Sequence, residues 1–173
     1  MKKLLFILLI ASTLIGLSCK TPPQPAASQE ASKPVVIEGE VTQTKVNDAL
    51  TQIYDVYRTK LDFTGAKDYT VVRGDTLSQI TRNNYGSLTG VGEAGPNNGF
   101  YFPVIMLASG STIVDPDLIE PGMNMKIVDL KKNLDNPVSR KAIKDCLIDV
   151  AYVYNKKGVK ASEDGLKKLS NSL

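Results

Sequence analysis

The chain of 173 residues has no histidine and no tryptophan, and it has only two cysteines. Without an imidazole there is no Ser-His-Asp triad, no Cys-His pair and no His-ligated zinc, so the commonest hydrolytic mechanisms are excluded. Aromatic residues make up 6% of the chain, so any stacking platform must use tyrosine or phenylalanine. An excess of one charge is missing too. With 21 basic and 18 acidic residues the formal net charge is +3, and no nucleic-acid footprint is expected. The longest uncharged apolar run, residues 4–17, would span roughly 21 Å as a helix, short of the ~30 Å hydrocarbon core of a bilayer. What is present, 42% hydrophobic and 23% charged residues, is the composition of a folded globular protein. The length admits one ordinary domain with extensions.

Lys2 and Lys3 precede the apolar run, which ends in Gly16-Leu17-Ser18-Cys19. A positive start, an apolar stretch too short to span and small residues at its end read as a signal peptide. Small residues directly before a cysteine resemble the lipobox of bacterial lipoproteins, in which the peptide is cut before the cysteine and the cysteine is lipidated. Gly16 replaces the usual Leu three positions before Cys19, with Ile15 one place earlier, and this relaxed box is similar to those of spirochaete lipoproteins. The other reading is a secreted protein cut elsewhere. The resemblance implies lipidation at Cys19 and durable anchoring, because several acyl chains hold where one is marginal. Cleavage there leaves 155 residues, and loss of Lys2 and Lys3 lowers the net charge to +1.

Residues 20–40 carry Pro22, Pro23, Pro25 and Pro34 among Ala, Ser, Gln and Thr. Such sequence buries no core and stays extended, as a spacer would. Val46, Leu50, Ile53, Tyr57 and Leu61 then recur at helical spacing, which predicts an amphipathic helix over 44–61 with Thr44 as its N-cap. Toward the C-terminus, Ser139 is a candidate cap for a helix with Ile143, Cys146, Leu147, Val150, Ala151 and Tyr154 on one side, stopped at Gly158. Ser162-Glu163-Asp164 opens a last helix carrying Leu166, Leu169 and Leu173 despite Gly165. On that apolar stripe Cys146 reads as a small buried hydrophobe with a raised pKa, not as a nucleophile.

The most informative segment is 68–128. Residues 68–73 alternate as a strand, and Gly74-Asp75 makes a turn in which Asp75 is placed to cap a helix over 76–86. Residues 102–109 predict a second short helix, with Pro103 tolerated in its first turn. A loop with turn residues at both ends covers 114–122, and 123–128 closes as a strand. The order is strand, helix, helix, strand.

Tyr69-x-Val71-x-x-Gly74-Asp75-Thr76-Leu77-x-x-Ile80 at the front and Asp115-Pro116-Asp117-Leu118-Ile119-x-Pro121-Gly122 with Met125-x-Ile127 at the back closely resemble the LysM domain. The resemblance implies an α+β fold: a small βααβ module with a glycan groove between its first strand–helix loop and its last helix–strand loop. Here those loops are 74–77 and 108–113. The resemblance places Gly74, Asp75, Thr76, Leu77, Ala108, Ser109 and Ile113 at that groove. Gly74 would let the backbone approach the N-acetyl amide, and Leu77 and Ile113 would cover its methyl. Asp75 and Thr76 would mostly hold the loop. The sequence departs from the family in having Ser109 where Asn is usual, and an excess at 88–98, read as a surface loop or an added wall of the site.

The expected division is therefore a signal peptide over 1–18, a lipidated Cys19 with tether over 19–43, an N-terminal helix over 44–67, a LysM domain over 68–130 and C-terminal helices over 131–173. The resemblance implies a non-catalytic lipoprotein of the cell envelope, membrane-anchored through Cys19 and facing periplasm or surface. It would bind peptidoglycan or a related N-acetylglucosamine glycan, without cofactor or metal. An envelope scaffold that has lost sugar binding, with a protein partner on the helical flanks, is the alternative. A carboxylate glycosidase needs two acids about 5–10 Å apart in a cleft, and the flanks are too small to form one. Glu93 and Glu120 read as exposed loop charges.

Overall fold

A computed structural model describes residues 35–86 and 98–173, all within one unit, Ser32–Leu173. The expectations for the signal peptide, Cys19, the tether up to residue 34, Glu93 and the stretch 88–97 lie outside the described residues. Helix α1 (Gln43–Arg58) is capped by Thr42, whose hydroxyl accepts from the Lys45 N–H, two residues earlier than the expected Thr44. Its Val46, Leu50 and Ile53 are buried as the stripe predicts, joined by Ala49 and Tyr54. Chain expected to be tether already belongs to the fold: Ile37 is 4% exposed and its N–H donates to the Tyr152 hydroxyl at 3.1 Å. Lys45 Nζ adds bonds to the Glu38 and Glu40 carbonyls.

Strand β1 (Lys67–Thr70) pairs antiparallel with β2 (Asn124–Ile127), Tyr69 opposite Met125 and Asp68 opposite Lys126. The period-two pattern holds on β2, where Met125 and Ile127 are buried while Asn124 and Lys126 are exposed. Pairing runs one step beyond the strands, since the Val71 N–H donates to the Met123 carbonyl and the Gly122 N–H to the Val71 carbonyl. Between the strands lie α2 (Leu77–Tyr85) and α3 (Phe102–Ser109). All eight residues of α3 are buried, which explains a helix that is apolar on every side. It packs on β2, α1, α2 and α5, with α5 being Pro137–Lys156, and forms the centre of the core.

A short helix absent from the expectations, α4 (Leu130–Asp135), follows β2. Its buried Asn133 accepts from the Asp62 N–H at 2.8 Å and donates to the Asp62 and Asp129 carbonyls, tying the chain after α1 to the end of the sheet. Asn136, not Ser139, caps α5, accepting from the Val138 and Ser139 N–H groups with Pro137 in the first turn. Ser139 instead donates from inside the helix to the Lys60 carbonyl at 2.7 Å. Helix α6 (Lys160–Ser172) starts before Ser162 and packs antiparallel to α5 as the expected hairpin. Cys146 is a free, buried thiol whose pKa burial pushes well above the usual range. The architecture is α+β, mostly helical, with one two-stranded antiparallel sheet among the described residues.

Candidate functional site

The turn from β1 to α2 is held by its own side chains. Gly74 has φ +95°, which an L side chain rarely adopts, and the Asp75 N–H closes the turn onto the Val72 carbonyl at 3.1 Å. Asp75 is not the helix cap. Its Oδ2 accepts from the Val72 N–H at 2.9 Å and from the Tyr69 hydroxyl at 2.8 Å, pinning the turn to β1. That bond is the main reason the Tyr69 pKa is raised. Thr76 caps α2, accepting from the Gln79 N–H at 3.3 Å while its hydroxyl donates to Gln79 Oε1 at 3.1 Å. Thr76 and Ser78 are exposed, and Leu77 faces inward.

These residues form one side of a concavity of about 300 Å³. Asp75, Thr76, Leu77 and Ser78 face Pro116, Asp117 and Ile119 of the loop before β2. Phe100, just before α3, and Phe102, its first residue, line it too, and Tyr154 of α5 and Ser162 of α6 line it from the C-terminal hairpin. Of the residues expected at the groove, Asp75, Thr76 and Leu77 line it and Gly74 shapes the turn beside it. Ala108, Ser109 and Ile113 do not. Ala108 is fully buried and Ile113 is 1% exposed, so neither side chain reaches a ligand. Ser109 spends its hydroxyl internally, donating to the Ile105 carbonyl at 2.6 Å and accepting from the Lys126 N–H at 3.1 Å. A serine at this position therefore joins the end of α3 to β2.

The far wall is held by a charged network. Asp115 is 4% exposed; its Oδ1 accepts from the Asp117 N–H at 2.9 Å and its Oδ2 from Gln43 of α1 at 2.7 Å. Lys157, just past α5, lies 3.2 Å from Asp115 and 2.6 Å from Asp117. Burial works against the Lys157 charge, but its bonds to the two carboxylates outweigh that and hold its pKa above the usual lysine value. The Tyr154 hydroxyl donates to Asp117 at 3.0 Å, and its ring meets Phe102 edge-on at 5.8 Å between centroids. Burial, followed by the charge of Asp117, pushes the Tyr154 pKa far up.

Sequence reasoning placed the second wall at 108–113, so it missed Pro116, Asp117 and Ile119 as well as Ser78, Phe100, Phe102, Tyr154 and Ser162. One signal was present. An isolated glycine inside a helix commonly marks a close approach, and a Cβ at Gly165 of α6 would stand 2.1 Å from Phe100 Cζ. Both carboxylates at the concavity are engaged, Asp75 by Val72 and Tyr69, Asp117 by Lys157 and Tyr154. Among the described residues no cluster of carboxylates and cysteine is arranged to hold a metal, and no helix is long and apolar enough to cross a membrane. Compared with protein-family models, with curated proteins and with solved structures, the chain matches none.

Proposed function

We propose that this protein is a non-catalytic, lipid-anchored lipoprotein of the bacterial cell envelope whose βααβ segment is a LysM module that binds peptidoglycan or a related N-acetylglucosamine glycan. The observation that carries the reading is the concavity itself. It lies between two blocks of sequence 38 to 44 residues apart in the chain, Asp75 to Ser78 and Pro116 to Ile119, which are the blocks that resemble the family. Its lining suits an amidated sugar. Ile119 and the Phe100 ring, both half-buried, offer apolar cover for a pyranose face or an N-acetyl methyl, while Thr76, Ser78 and Asp117 offer polar partners. Anchoring at Cys19 would raise the effective concentration of a single weak module at the wall.

Co-sedimentation of residues 20–173 with purified peptidoglycan tests the reading. The protein should pellet, chitooligosaccharide should compete, and Ser78→Trp, placed on an exposed lining residue, should abolish pelleting while circular dichroism is unchanged. A folded wild type that stays in the supernatant overturns it. One observation favours a scaffold instead: a shallow apolar depression between the end of α1 and the start of α5, lined by Val56, Pro137, Val138 and Ala142, with Val138 60% exposed. Binding of a protein partner there in the absence of sugar binding would support that second reading.

A further inference from the structure

We propose that α6 is a specificity wall of this site and limits it to a short glycan, one or two sugar units or a chain end, rather than a long internal stretch. The inference rests on the glycan reading above and adds the ligand's size and the residues that set it. The volume of about 300 Å³ is at the lower end for small-molecule sites. A module built only from the two loops would leave the hairpin side open. Here Tyr154 and Ser162 of the hairpin line that side, and Phe100 is seated against it.

The wall is fixed, not a movable flap. Tyr154 is 3% exposed, donates to Asp117 and packs edge-on against Phe102. The Phe100 ring rests on the backbone of α6 at Gly165, where a Cβ would have 2.1 Å, 2.4 Å and 2.4 Å to three ring carbons. Helix α6 is itself clamped to α5: buried Glu163 accepts from Asn155 at 3.0 Å, and Ser170 donates to the Lys144 carbonyl at 3.0 Å. A ligand entering between the two loops therefore meets an aromatic surface at Phe100 and a hydroxyl at Ser162. A third sugar would lie outside the walls and add little.

Full-length protein in detergent micelles, titrated by calorimetry with N-acetylglucosamine oligomers of one to six units, tests this. Affinity should rise from one unit to two and then stay level within about twofold. Ser162→Phe, and the smaller intrusion Ser162→Gln, should weaken binding of the two-unit oligomer, by about tenfold or more for the larger side chain, with the melting temperature unchanged. Affinity that climbs about tenfold again between two and four units overturns the inference and leaves the glycan reading standing. Undiminished binding by both folded Ser162 variants removes α6 from the site and overturns it as well. Absence of binding at every length overturns the glycan reading and the inference together.

Discussion

Lys157 and Asp115, 42 residues apart, meet at 3.2 Å with the aspartate side chain 2% exposed and the lysine side chain 16% exposed. This pair fastens the loop before β2 to the end of α5, and through Gln43 the same carboxylate reaches α1. The flanking helices are therefore parts of the structure that shapes the concavity. Replacing Lys157 with Ala leaves a buried carboxylate without its cation, and the loss should be about 3 kcal/mol in urea unfolding. Lys131→Ala, which breaks a pair whose side chains are 63% and 61% exposed, should change stability by less than ~0.5 kcal/mol.

Gly165→Ala sets two effects against each other. Alanine favours a helix by about 1 kcal/mol over glycine, yet its Cβ would occupy space held by Phe100. Overpacking should win, with a net destabilisation of about 1–3 kcal/mol in thermal or chemical unfolding. The double variant Gly165→Ala with Phe100→Ala should recover part of that loss, because the colliding ring is gone.

Acid stability should depend on Glu163. The Asn155 amide first, and then Lys167, hold its pKa down at about 2, from an ordinary value of 4.5. A depressed carboxylate contributes stability that is fully present above its unfolded pKa and is lost as the pH falls through its folded one. Unfolding followed from pH 5 to pH 2 should show stability falling, and Glu163→Gln should flatten part of that slope. Asp62, also lowered to about 2, chiefly by Lys132, keeps the remainder. Asp149, raised by burial, acts with the opposite sign, so the difference between wild type and variant is the quantity to read.

Cys146 should resist a neutral thiol reagent in the folded protein. The residue is 1% exposed and burial disfavours the reactive thiolate. Labelling should follow unfolding: negligible in buffer, complete in denaturant. Rapid labelling in buffer would mean that α5 opens at this level.

Periodic elements were readable in the sequence, and long-range polar contacts were not. The stripe of α1 and the alternation along residues 68–72 follow from spacing, while α3 shows as an unbroken apolar run. Caps were misplaced by a few residues wherever two competent side chains lay close together. Thr42 caps where Thr44 is expected, Thr76 where Asp75 is and Asn136 where Ser139 is, and backbone geometry decides among such neighbours. Helix α4 has six residues and too few turns for a period to emerge. The candidate site divided along the same line. Residues 75–77 are local to a recognisable turn, so their position was legible. Tyr154 and Ser162 reach the concavity only because α5 and α6 fold back over it. The resemblance places Ala108, Ser109 and Ile113 at the groove, but Ala108 and Ser109 belong to α3, every residue of which is buried, and Ile113 is buried shortly after it.

The contacts around Ile37 decide how that segment would bear a load. At Val35 to Ile37 the backbone joins α5 through the bond from the Ile37 N–H to the Tyr152 hydroxyl, and Lys45 bonds the carbonyls of Glu38 and Glu40 nearby. A pull applied at Val35 would first peel Ile37 and its bonds away, before α1 or either loop of the concavity felt tension. Rupture under force follows the barrier to unfolding and not equilibrium stability. The short segment at Ile37 would then act as a mechanical fuse, releasing several residues of chain while the concavity stays intact.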